Sequence, residues 1–188
     1  MIPYTVDRRA DTNVTNVTMG IWLFLASEVM LFGALFSAYT LLRVSALVWP
    51  HGRDVLDVNI GLTNTAVLLA SSYLVWRARV GDARSSVRRL SESSLLAVVF
   101  LGLKVQEYRG DLSHGLVPAA STFLAIYFTL TGLHALHVLG GLVANVWTAS
   151  GLRRVGPGLT AGRVRALSLY WTFVDLVWLV ILWLVYLS

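Results

Sequence analysis

Two carboxylates and a pair of histidines are the residues of this chain whose types and setting could do chemistry. Glu28 is the one charged side chain in 19–42, and Asp175 lies in an equally apolar stretch near the C-terminus. His134 and His137 stand three apart, so on a helix they share a face, with Gly141 and Asn145 further along it. Glu107, followed by Tyr108, marks a third polar spot. Carboxylates and imidazoles in apolar surroundings can relay protons, bond one helix to another or ligate a metal. An ionisable group at mid-membrane costs on the order of 2.5 kcal/mol or more, so each of these must face other helices or water and find a partner. Glu28, His134, His137, Asp175 and Glu107 are therefore the candidate intramembrane polar site.

Each candidate also has a plainer reading. Glu28 serves equally as an interhelical hydrogen-bond partner. The histidines have metal-ligand spacing, but no third protein ligand is indicated, so they read as packing histidines and no metal is expected. Asp175, between Trp171 and Trp178, is expected to bond an indole N–H or a backbone group. The stripes beside these acids, Ile21, Phe24, Leu35 and Tyr39 near Glu28 and Trp171, Trp178 and Leu182 near Asp175, read as packing faces. Asn64, Ser71 and Ser72 extend a polar seam to another helix, and Gly140 with Gly141 would allow close helix approach. No residue is expected to be catalytic.

The elements that must position these groups follow from composition. Hydrophobic residues make up 56% and charged residues 13%, and the mean hydropathy is +0.69, so lipid is the main solvent. The net charge of +5 does not point to nucleic acid, because the basic residues fall in two loops between apolar stretches. Membrane phospholipid is the expected partner, with Arg153 and Arg154 a further candidate contact for lipid phosphate. The chain has no cysteine, which removes disulfides, thiolate metal sites and haem-attachment motifs. Residues 1–18, with Asp7, Arg8, Arg9 and Asp11, lack both a signal-peptide core and the acid-poor character of a transit peptide, so the first apolar stretch is expected to do its own targeting.

The expectation is an all-α membrane protein, a single domain over 1–188 forming a bundle of five transmembrane helices at about 17–42, 59–76, 90–108, 118–149 and 166–187. The third span is the weakest, since its apolar run of 95–103 is followed by Lys104, Gln106 and Glu107; snorkelling of Glu92 and Lys104 to opposite interfaces would rescue it. Arg77, Arg79, Arg84, Arg88 and Arg89 before that span, and Arg153, Arg154, Arg163 and Arg165 before the last, lie on one side only if it crosses. The positive-inside rule then puts both loops and the N-terminus in the cytoplasm and the C-terminus outside. Trp49, Trp76 and Tyr108 fall near span ends, and Trp-Pro-His-Gly at 49–52 and Gly-Pro-Gly at 156–158 read as turns.

The order of five strings is specific. Gly-Ile-Trp-Leu-Phe-Leu-Ala-Ser-Glu at 20–28, Asn-Thr-Ala-Val-Leu-Leu-Ala-Ser-Ser at 64–72, Gln-Glu-Tyr at 106–108, Gly-Leu-His-Ala-Leu-His-Val at 132–138 and Tyr-Trp-Thr-Phe-Val-Asp-Leu-Val-Trp at 170–178 together resemble cytochrome c oxidase subunit III, of the haem-copper oxidases. The chain is similar to the last five of that family's seven helices, the short form of many bacterial oxidases. Thr172 stands where the family usually has His, which puts any role of that His in doubt here.

The resemblance implies an accessory subunit of a complex in the bacterial inner membrane that reduces O2 to water and pumps protons, with haems and copper held by partner subunits I and II. It implies no redox cofactor in this chain, bound phospholipid, stabilisation of the catalytic subunit, and help with proton uptake or O2 access. Glu28 matches the family's carbodiimide-reactive carboxyl by a lipid cleft, His134 and His137 match its His-x-x-His pair, and Glu107 matches its Glu-Tyr. Glu28, His137, Arg153 and Arg154 are the lipid-contact candidates. The related subunit of a quinol oxidase or nitric oxide reductase complex is the near alternative. A different class, an independent proton-coupled transporter with a relay through Glu28, His134, His137 and Asp175, lacks the internal repeat and Gly- or Pro-broken helices such proteins use.

Overall fold

In the computed structural model, residues 15–155 and 157–187 are described, the side chains of 155 and 157–159 excepted; the charged residues noted at 7–11, and Gly156 of the second turn, lie outside them. The described residues form helices α1 (Asn16–Ser45), α2 (Gly52–Val55), α3 (Val58–Arg77), α4 (Ala83–Ser113), α5 (Thr122–Val155) and α6 (Pro157–Ile181), and α6 runs on into a π-turn at Leu182–Tyr186. Local signals set several ends. The Thr15 hydroxyl accepts from the Thr18 N–H at the start of α1, and the Asp57 carboxylate accepts from Asn59 and Ile60 N–H at the start of α3. Arg89 closes the α3–α4 turn by donating to the carbonyls of Arg77 and Val80.

Helices α1, α3, α5 and α6 are long and apolar enough to cross a membrane. The fifth helix of comparable length, α4, has 31 residues and reaches about 46 Å, but its charged side chains lower its hydropathy. Lys104 does not snorkel as expected. It is 2% exposed and lies 2.9 Å from Glu107, one turn along the same helix, so its charge is neutralised inside the bundle. Snorkelling fails because its ammonium has a carboxylate and two phenols within reach, and water offers nothing better. Glu92 does point outward, paired with Arg88.

The central post is α6, which packs against α1, α3 and α5, while α4 fits between α3 and α5. Its face of Trp171, Val174, Trp178, Ile181 and Val185 is almost fully buried. By contrast α1 buries only Leu25, Phe32 and Tyr39, a seven-residue repeat that makes one narrow seam, and its other faces are exposed. The expected stripe was wider: Phe24 is exposed and Ile21 and Leu35 are half-buried.

One polar chain ties four helices together. Ser71 of α3 bonds Ser93 of α4 at 2.8 Å, Asn145 of α5 donates to Ser93 at 3.0 Å, and the Trp171 indole of α6 donates to Asn145 at 3.0 Å. Gly141 leaves room for this arrangement, since a Cβ there would stand 3.0 Å from the Trp171 ring and 3.1 Å from Tyr170. The close approach at this glycine is thus to aromatic side chains of α6.

Candidate functional site

Glu28 and His137 meet. Glu28 lies near the middle of α1 and His137 near the middle of α5, and the carboxylate Oε2 is 2.9 Å from the imidazole Nε2. The other ring nitrogen, Nδ1, lies 2.8 Å from the Leu133 carbonyl, one turn back on α5. A carbonyl only accepts, so Nδ1 carries a proton and the tautomer is fixed. With Nε2 unprotonated the pair is held by a proton on Glu28; with Nε2 protonated it is an ion pair. Either way one hydrogen bond joins α1 to α5. Phe32 packs edge-on to the imidazole at 5.1 Å, and the pair keeps slight exposure, 15% for Glu28 and 13% for His137.

An open groove between α1, α5 and α6 lies on one side of the pair, its nearest lining residues one helical turn away. The groove measures about 430 Å³, and its lining is mostly apolar, with Phe24 and Gly140 one turn from Glu28 and His137. Tyr170 of α6 forms part of the wall, and its hydroxyl donates to the His137 carbonyl at 2.7 Å. Arg163 also lines it, its guanidinium 4.2 Å from the Trp147 ring centroid. The groove therefore has a mostly apolar wall with one cation, Arg163, in its lining, and the Glu28–His137 pair lies one turn beyond Phe24 and Gly140.

The remaining candidates lie elsewhere. His134 is fully buried and turns away from Glu28, between Phe100 and Trp178, with no hydrogen-bond partner on either ring nitrogen among the described residues. Three residues along a helix leave the two side chains about 60° apart around its axis, enough to turn them toward two different interfaces. Asp175 is 8% exposed, and one of its oxygens lacks a hydrogen-bond partner among the described residues. Its expected indole partners are engaged otherwise, Trp171 with Asn145 and Trp178 with Thr65, and the Ser72 hydroxyl donates to the Trp171 carbonyl at 3.5 Å. Asn64 is fully buried and its side chain has no hydrogen-bond partner among the described residues. Thr172 bonds the Ser168 carbonyl of its own helix.

Glu107 anchors a second cluster. Its carboxylate accepts from Lys104, from Tyr127 at 3.0 Å and from Tyr186 at 2.6 Å, while the Lys104 ammonium lies 5.0 to 5.6 Å from the ring centroids of Tyr108, Tyr127, Trp178 and Tyr186. Tyr127 also donates to Asp111 at 3.1 Å. Arg153 and Arg154 are exposed in the last turn of α5, roughly 24 Å along the helix from His137. Among the described residues no three His, Asp or Glu side chains converge as metal ligands would.

Sequence reasoning missed Tyr170, Arg163, Tyr127 and Tyr186. Tyr170 stood in a quoted motif, yet a tyrosine on an apolar helix carries no sign of its partner. Arg163 was counted only as a topology signal, and its stacking on Trp147 joins residues sixteen positions apart.

Long apolar helices, joined by polar residues that bond helix to helix, define an all-α membrane protein. The chain belongs to the cytochrome c oxidase subunit III family, whose model matches residues 7–188. It is similar to the cytochrome bo(3) ubiquinol oxidase subunit 3 of Pseudomonas aeruginosa, with 34% identity over 185 residues, covering 92% of this chain and 85% of that one. The cytochrome c oxidase subunit 3 of Bacillus sp. (strain PS3) is 31% identical over 193 residues, covering 98% and 92%. The heme-copper oxidase subunit I+III of Aeropyrum pernix is 34% identical over 187 residues, covering 92% of this chain and 23% of that longer protein. The resemblance read from the five motifs is thereby established.

Proposed function

We propose that this chain is a non-catalytic accessory subunit of a haem-copper terminal oxidase that reduces O2 to water and pumps protons, with haems and copper in its partner subunits I and II. The observation that carries this reading is the Glu28–His137 pair, a polar contact that joins α1 to α5 one turn from an apolar groove. The role is support. The groove holds an acyl chain of a membrane phospholipid, with Glu28 and His137 one turn beyond its lining and Arg163 toward the headgroup, and Arg153 and Arg154 belong to the same basic face. The proton in the hydrogen bond of the pair makes it a station for proton uptake, and the lipid-filled groove is a route for O2.

The topology that fits is five crossings in the bacterial inner membrane, the N-terminus cytoplasmic and the C-terminus outside. Internal pairing of Lys104 with Glu107 supports a crossing by α4, because a neutralised pair adds far less to the cost of insertion than two free charges. Electron donors of both kinds occur among relatives, some named for ubiquinol and others for cytochrome c. A transporter relay is not favoured, since of its four residues only Glu28 and His137 bond each other.

The test is to purify the tagged chain from native membranes in mild detergent and record a reduced-minus-oxidised spectrum with mass spectrometry of its partners. Oxidase haem bands with co-purifying haem-copper and copper subunits are expected. A colourless preparation without partners would overturn the reading.

A further inference from the structure

A second cavity is separate from the α1–α5–α6 groove. It measures about 850 Å³ and lies where the start of α4 meets the end of α5, lined by Arg84, Arg88 and Arg153 with Ser85 and Ser91 and by the apolar Val87 and Leu152. Asp82 is the one acid of the lining, so three positive charges face one negative.

These arginines are free for a ligand. In the first turns of α4 Arg89 is occupied by two backbone carbonyls, whereas the guanidinium groups of Arg84 and Arg153 have no hydrogen-bond or ion-pair partner among the described residues. Arg88 pairs with Glu92 at 3.3 Å, but both are well exposed, 76% and 46%, and a surface pair of this kind contributes little and yields readily. Holding guanidinium groups from two helices around one cavity incurs mutual repulsion that an anion would relieve. A planar guanidinium matches two oxygens of a phosphate at once, which a point charge does not.

We propose that Arg84, Arg88 and Arg153 form a binding site for a phosphate oxyanion, distinct from the acyl groove. Val87 and Leu152 supply an apolar wall beside the cations, which suits the phosphate and glycerol end of an anionic phospholipid. The same three cations would also take a soluble phosphate, and the experiment separates the two sources. The site rests on the reading that this end of the bundle lies at the membrane surface. Its test measures binding without oxidase turnover, so it can fail while the accessory-subunit reading stands.

The assembled complex, delipidated in neutral detergent, is titrated with phosphatidylglycerol in mixed micelles, with phosphatidylcholine in the same micelles, and with inorganic pyrophosphate, and the thermal midpoint is followed. Phosphatidylglycerol is expected to bind saturably and phosphatidylcholine far more weakly. Each of Arg84→Gln, Arg88→Gln and Arg153→Gln should weaken binding about fivefold, and the triple variant about a hundredfold, at low salt. The Arg84→Lys, Arg88→Lys, Arg153→Lys variant keeps the charge and should lose part of the affinity. Pyrophosphate binding with the same sensitivity to these variants would support the site with a soluble source. Wild-type affinity in the triple Gln variant would overturn it. An equal loss from Arg77→Gln, Arg79→Gln and Arg165→Gln would overturn it too, because the attraction would then be general to the basic face.

Discussion

The Lys104 ammonium stands 2.9 Å from the Glu107 carboxylate, and both side chains are almost wholly withdrawn, at 2% and 3% exposure. Two phenols, Tyr127 and Tyr186, bridge to the same carboxylate from α5 and from the π-turn after α6. One ion pair therefore joins three segments and turns the least apolar long helix inward.

Breaking that pair should be worse than deleting it. Lys104→Met or Glu107→Leu alone leaves an uncompensated buried charge and is expected to cost about 3–5 kcal/mol, while the double substitution recovers most of the loss. Thermal unfolding of the purified complex reads the difference. A double variant no better than the weaker single would show that packing, not charge, is at stake.

Gly52 opens α2 directly against the π-turn, where a Cβ would run into the Val185 carbonyl oxygen. That neighbour is backbone and cannot swing aside, so Gly52→Ala should destabilise by about 1–3 kcal/mol or more. Gly20→Ala, with nothing within 4 Å of its Cβ, is the control. Yield and detergent stability of the two variants compare them, and equal behaviour would mean that α2 docks loosely.

Asn145 serves two partners at once, accepting from Trp171 and donating to Ser93. Asn145→Leu strands a buried indole N–H and should cost about 1–3 kcal/mol. Ser71→Ala removes only the end of the chain and should cost about 0.6 kcal/mol, a usual value for a hydrogen bond between membrane helices. Denaturation of both variants in the same detergent measures the ratio.

Glu28→Ala is expected to leave haem content near normal while shortening the working lifetime of the complex and releasing lipid from the groove. Turnover followed to inactivation, with lipid mass spectrometry, checks both effects. Loss of all haem from the assembled oxidase would contradict the supporting role.

The absence of cysteine makes topology directly measurable. If α4 crosses, Arg84→Cys should react with an impermeant thiol reagent only from the cytoplasmic side and His114→Cys only from outside. Labelling of both from one side would restrict the crossings to α1, α3, α5 and α6.

The sequence by itself determined that this chain is an all-α membrane protein of the subunit III family, because apolar length and motif order are local properties that survive reading in one dimension. It also marked Glu28, His137 and Glu107 as residues in need of partners, since an ionisable group in lipid advertises its own cost. Which partner each found was decided only by the tertiary structure. His134 and His137 sit three apart and read alike, yet one is sealed between Phe100 and Trp178 and the other is hydrogen-bonded to Glu28. Lys104 read as a charge bound for the interface because the phenols that hold it come from positions 127 and 186. The same holds for the phosphate-site arginines: 84 and 153 become neighbours through the antiparallel packing of α4 on α5. Periodicity fixes a side chain's direction about its own helix axis, but only packing chooses which helix stands opposite.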